Sequence, residues 1–217
     1  METLKRKHDF DMAHGAQEVF RILLEALANP GRVLSLRRHA GQFAGQGRWL
    51  APAVTLLDAE TGFFWDGDRQ TGEEIRFLTG APQVALEEAD FVFLSGGTAA
   101  RDEALRILSR VKGGTHIDPH LSALLFIAPG KNGKETGEIL ALKGPGIPPE
   151  GRAIRLSAGE AAWCRAREDQ GFEYPCGVEL IFMREDDFIL ALTRKTEFLW
   201  SGASYSMKPC GPEAAGN

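Results

Sequence analysis

The run Leu121-Ser122-Ala123-Leu124-Leu125-Phe126-Ile127-Ala128 is the most apolar stretch of the chain and constrains its fold more than any other segment. So short and apolar a run reads as a strand covered on both faces, because a strand with one solvated face alternates apolar with polar residues. Covering both faces requires layers above and below the sheet, and the sequence supplies helices to build them. Val19, Ile22, Leu23, Ala26 and Leu27 recur at helical spacing, predicting a helix over Ala16–Ala28 that stops at Asn29-Pro30-Gly31. A second helix is predicted over Ala99–Val111, with Thr98 as its N-cap and Gly113-Gly114 as its stop. The third has the clearest local signal: Ser157-Ala158-Gly159-Glu160 has capping-box spacing and starts a helix over Ala158–Gln170 that Gly171 ends.

Short strands are predicted at Val33–Leu36, Ala53–Leu57, Phe63–Trp65, Ile75–Leu78, Phe91–Leu94, Glu138–Leu142, Ala153–Leu156, Val178–Met183 and Phe188–Leu192. The last two are joined by a turn at Glu185-Asp186-Asp187. Strands interspersed with helices give an α/β protein, a mixed sheet flanked by helices. No repeat or linker divides the chain, so one domain is expected over residues 11–199, with flexible termini at 1–10 and 200–217.

A net charge of −5 argues against a general nucleic-acid binder, which carries a basic excess. No apolar run has the length of a membrane span, and Cys164, Cys176 and Cys210 are too few and too scattered for a disulfide framework or a paired zinc site. The expectation is a cytoplasmic protein with reduced thiols.

Candidate chemistry is sparse. Leu94-Ser95-Gly96-Gly97-Thr98 passes from a strand toward a helix, so its N–H groups could cradle a phosphate, although it matches no established phosphate-loop pattern. The plain alternative is a glycine turn. His116 and His120 stand four apart, but Pro119 breaks the helix that would aim both at one metal, so no metal site is expected. No nucleophile has an evident base, and no catalytic residue is assigned. The segment Phe63-Phe64-Trp65 is either core or interface.

Several strings, in order, resemble the PhnH family of the carbon–phosphorus lyase system. They are Gln17–Arg21 with Ala26, Pro30 and Gly31; Leu56-Leu57-Asp58 with Thr61; Ile75–Pro82; Pro119 with Ser122-Ala123-Leu124; Leu142–Ile147; Phe172 through Pro175–Leu180; and Leu192-Thr193-Arg194. Leu78, Glu179 and Thr193 depart from the family's histidine, aspartate and proline. The resemblance implies a fold like the large domain of pyridoxal-phosphate-dependent transferases, without the cofactor site and with no cofactor. It also implies a homodimer that joins other carbon–phosphorus lyase subunits. That assembly makes α-D-ribose 1-methylphosphonate 5-triphosphate from ATP and methylphosphonate. The expected role is that of an accessory, non-catalytic subunit. The alternative is a nucleotide- or phosphonate-binding module using Arg76, Gly96, Gly97, Thr98 and Arg194, with Arg76 and Arg194 otherwise explained as strand-end ion pairs. Lys195 is the one lysine considered for pyridoxal phosphate, and no aldimine is expected there.

Overall fold

The computed structural model describes residues 8–96, 100–128 and 138–200. Its centre is a six-stranded sheet in the order β1-β8-β7-β4-β3-β2. The strands are β1 (Val33–Ser35), β2 (Phe63–Trp65), β3 (Phe91–Leu94), β4 (Leu124–Ile127), β7 (Glu179–Met183) and β8 (Phe188–Leu192). The pairs β2–β3, β3–β4 and β4–β7 are parallel, whereas β7–β8 and β1–β8 are antiparallel. A second sheet of three strands, β6-β5-β9, is formed by β5 (Glu138–Lys143), β6 (Arg152–Leu156) and β9 (Glu197–Trp200). The mixed α/β sheet expected from the sequence is therefore present, with the apolar run at its middle.

Strand periodicity divides the core into two layers. Val92, Leu94, Leu125, Ile127, Leu180, Phe182, Leu190 and Leu192 face one side. They pack on α5 (Arg101–Leu108), α6 (Ala158–Gln170) and the three-stranded sheet. The alternate residues Phe93, Phe126, Ile181, Met183, Ile189 and Ala191 face the other side. There they meet α1 (His14–Ala28), α3 (Gly47–Leu56) and α4 (Arg69–Thr79), with the rings of Phe93 and Phe126 stacked at 4.9 Å. A short helix, α2 (Arg37–Ala40), leads into α3.

Two predicted strands are helices. Ala53–Leu57 belongs largely to α3, where Pro52 inside the helix had obscured the pattern. Ile75–Leu78 lies in α4, which Asp68 caps by accepting from Thr71 N–H at 2.9 Å. Its inner face is Thr71, Glu74 and Ile75 with half-buried Leu78, a helical spacing carried as much by polar as by apolar residues. Helix α5 is shorter than predicted: its N-cap is Ala100, it ends before Ser109, and Thr98 lies outside the described residues. Strand β9 had no counterpart in the prediction.

Other local expectations hold. The capping box is formed in both directions, Glu160 N–H to Ser157 Oγ at 3.3 Å and Ser157 N–H to Glu160 Oε2 at 2.8 Å, and Gly171 closes α6 in the left-handed conformation. Phe63 and Trp65 are buried in one core layer and Phe64 packs partly against the other, so this aromatic segment is core. Gly146 has φ +77°, and a Cβ there would lie 2.0 Å from the Ala28 carbonyl oxygen, which fixes why the chain turns on glycine where β5 passes the end of α1.

Candidate functional site

Of the residues singled out by sequence, the three that are described, Arg76, Gly96 and Arg194, are not brought to one place. Gly96 follows the carboxyl end of β3, whereas Arg194 follows β8, whose end lies beside the amino ends of β7 and β4. They occupy opposite edges of the sheet. Arg76 is elsewhere again, exposed in the last turn of α4. The strand-end ion pair considered for it is replaced by a helix C-terminus, where a cation complements the macrodipole. Gly97 and Thr98 lie outside the described residues, as does Cys210.

At the carboxyl edge, the N–H groups considered for phosphate already face an anion of the protein. Asp66, directly after β2, accepts from Ser95 N–H at 2.6 Å and Ser95 Oγ–H at 2.9 Å through Oδ1, and from Gly96 N–H at 3.4 Å through Oδ2. Parallel strands β2 and β3 are neighbours, so a carboxylate after one reaches the turn after the other. No local signal marks Asp66 in the sequence, because its partners are thirty residues away.

At the opposite edge, Arg194 is the hub of a network. Its Nε donates to Glu179 Oε1 at 2.7 Å and its own backbone N–H donates to Glu179 Oε2 at 2.6 Å. One terminal nitrogen donates to the Pro119 carbonyl at 2.6 Å, the other to Ser122 Oγ at 2.5 Å. The ion-pair reading of Arg194 thus has a specific geometry, clamping the start of β7 and the approach to β4 onto the end of β8. Lys195 places its ammonium over the Tyr174 ring, 5.3 Å from the centroid. Beside this corner is a cleft of about 180 Å³ that Arg167, Glu168, Gly171, Phe172, Tyr174, Cys176 and Arg194 help to line.

His120 lies in a short 3-10 turn, Pro119–Leu121, and His116 is exposed, with Nε2 3.7 Å from Glu173. Among the described residues no group of three or more His, Cys, Asp or Glu side chains is placed to hold a metal. Cys164 is fully buried on α6, and burial pushes its thiol well above the ordinary range. Cys176 is partly exposed at the cleft. No helix of the described residues is long and apolar enough to cross a membrane.

The sheet and its two polar edges define an α/β protein whose conspicuous polar clusters are internally paired. Over residues 8–198 the chain matches the family described as bacterial phosphonate metabolism protein (PhnH), and it belongs to that family. Comparison with individually curated proteins returns no match. The family strings also meet in space. Asn29 and Pro30 give their carbonyls to Arg152 at 3.0 and 2.6 Å beside the Gly144–Gly146 turn, and the Pro175–Leu180 string meets Arg194 through Glu179. Arg167, inside an ordinary helix, escaped sequence reasoning altogether.

Proposed function

We propose that this protein, a member of a phosphonate-metabolism family, is an accessory, non-catalytic subunit of the carbon–phosphorus lyase core complex. In this reading it is needed for making α-D-ribose 1-methylphosphonate 5-triphosphate from ATP and methylphosphonate. The observation that carries the reading is the family match over residues 8–198. Its internal chemistry supports the same view: Asp66 takes the Ser95 and Gly96 donors, and Glu179 and Arg194 take each other, so these groups act as braces. The chain works as a homodimer in the cytoplasm, bound to other subunits, and its fold follows the large domain of pyridoxal-phosphate-dependent transferases without their cofactor.

Deletion of the gene tests this reading. Growth on methylphosphonate as phosphorus source should stop while growth on phosphate continues, and the partner subunits should co-purify with the tagged chain. The isolated protein should release no adenine from ATP and methylphosphonate. Normal growth of the deletion strain on methylphosphonate, or adenine release by the chain alone, would overturn it.

A further inference from the structure

Arg167 is a buried cation that makes no ion pair among the described residues. Its side chain, on α6, is 9% exposed as a residue, and none of the ion pairs among the described residues includes it. Its terminal nitrogens donate to the carbonyls of Thr193 and Thr196, each at 2.7 Å, and its guanidinium lies 4.0 Å over the Phe198 ring. Carbonyl dipoles and a ring face fix the orientation of the group but give its charge no contacting counter-ion among the described residues, an arrangement buried charges normally avoid. Burial accordingly holds this guanidinium below its ordinary range.

The same side chain lines the cleft that also reaches Arg194, Tyr174 and Cys176. Two carboxylates are near. Glu179 belongs to Arg194, and Glu168, itself a lining residue, accepts from Trp200 Nε1 at 2.7 Å. Lys195, exposed and poised over Tyr174, adds a third cation at this corner. Of the two carboxylates, only Glu179 is in an ion pair, and neither lies within ion-pair distance of Arg167, so the corner presents three cations with no carboxylate in contact with the buried one. The size of the cleft narrows the ligand: about 180 Å³ is below the roughly 300–1,000 Å³ of pockets that enclose drug-sized molecules. It suits a phosphate-sized group and would not enclose a whole nucleotide.

We propose that the cleft between α6 and the Phe172–Val178 segment binds a small tetrahedral oxyanion, of the phosphate or phosphonate class, as a contacting counter-ion for Arg167. The site is separate from the Gly96 turn and does not depend on the subunit reading, since binding can fail while the deletion strain still fails to grow. The anion supplies charge at the buried guanidinium, and Lys195 draws it to the entrance.

Cys176 is a reporter built into the cleft wall. The full chain is alkylated with iodoacetamide, and the Cys176 peptide is followed by mass spectrometry in inorganic phosphate, methylphosphonate or chloride at matched ionic strength. Phosphate and methylphosphonate should protect Cys176 saturably, slowing its alkylation about tenfold at ten times the half-saturating concentration because only the free fraction reacts. Lys195→Glu, on an exposed side chain, should raise the half-saturating concentration roughly fivefold, the order expected for reversing one solvent-screened charge. Arg167→Met, where it folds, should abolish protection. Failure of both oxyanions to protect saturably, equal protection by chloride, or an unchanged response in Lys195→Glu would overturn the proposal.

Discussion

Removing the Arg194 side chain should cost stability even if no ligand ever touches it. Arg194 and Glu179 side chains are only 16% and 21% exposed, and their ion pair is 2.7 Å long. Arg194→Met deletes that pair and strands the Pro119 carbonyl and Ser122 hydroxyl, which the guanidinium now satisfies. Breaking a buried pair by removing one partner costs roughly 3–5 kcal/mol, because the remaining charge stays desolvated. Glu179 keeps one donor here, the backbone N–H of residue 194 at 2.6 Å, so the lower end, about 3 kcal/mol, is the figure to expect. For a chain of this size that lowers Tm by about 6–12 °C. Neutralising the orphan should recover part of the loss, so Arg194→Met/Glu179→Gln should be more stable than the sum of the single variants by about 1–2 kcal/mol. Urea unfolding of the four proteins measures this coupling. A cost under about 1 kcal/mol for Arg194→Met, or strict additivity in the cycle, would refute the view that this corner is a clamp.

Three other outcomes follow from equally local geometry. Ser157→Ala removes the side-chain half of the capping box and should cost about 1 kcal/mol, lowering Tm by about 2–4 °C in a thermal melt. Gly146→Ala sets a Cβ 2.0 Å from the Ala28 carbonyl at φ +77° and should cost more than about 3 kcal/mol, visible as a collapse of soluble yield or Tm. Burial pushes the His39 imidazole below its ordinary range, against the weaker pull of Glu18 and with a small contribution from Arg38, and its Nδ1 has no hydrogen-bond partner among the described residues. The unfolded chain therefore takes up the proton first: this stability is full above about pH 6.5 and is lost as pH falls toward the folded value. Tm measured from neutral to mildly acidic pH should fall less steeply in His39→Leu than in the native chain, and equal slopes would refute it.

What was legible in the sequence was whatever short-range pattern decides. The capping box at Ser157, the αL stop at Gly171 and the apolar run of β4 each depend on neighbours within a few positions, and each is formed. Helix α4 escaped because its buried face is built from Thr71 and Glu74 as well as Ile75, while Phe77, which looked like strand interior, is 82% exposed. Strand β9 escaped because one of its exposed positions carries Leu199, which breaks the apolar–polar alternation in the sequence, and because its partner, β5, is more than fifty residues away. The polar sites were legible only in part for the same reason. Arg194 was noticed, but its contacts with Pro119, Ser122 and Glu179 are made by the topology, and the anion facing the Gly96 turn comes from a different strand. Arg167 reads as one more charged residue on a helix until α6 is seen to be covered nearly all round.

The three departures from the family pattern fall where the structure can absorb them. Leu78 is half-buried on α4 against the core layer beneath it, a place for an apolar side chain that makes no demand for an imidazole. Thr193 retains an N–H that proline would lack and donates it to Thr196 Oγ1 at 3.2 Å, helping to shape the turn whose carbonyls hold Arg167. Glu179 is the most informative of the three. Its two oxygens reach two donors of one residue, Nε and the backbone N–H of Arg194. An aspartate is one methylene shorter and cannot span both without movement of the β7 start toward β8. Glu179→Asp should therefore lose one charge-assisted hydrogen bond while keeping the pair's charge balance, a cost of about 1.5–3 kcal/mol in place of the larger penalty for an orphaned ion. Urea unfolding of Glu179→Asp beside Arg194→Met ranks the two. If Glu179→Asp proves neutral, the strands slide to accommodate the shorter side chain and the clamp is a contact of opportunity; if it costs as much as Arg194→Met, reach matters as much as charge, and the glutamate is required by this chain's own spacing between β7 and β8.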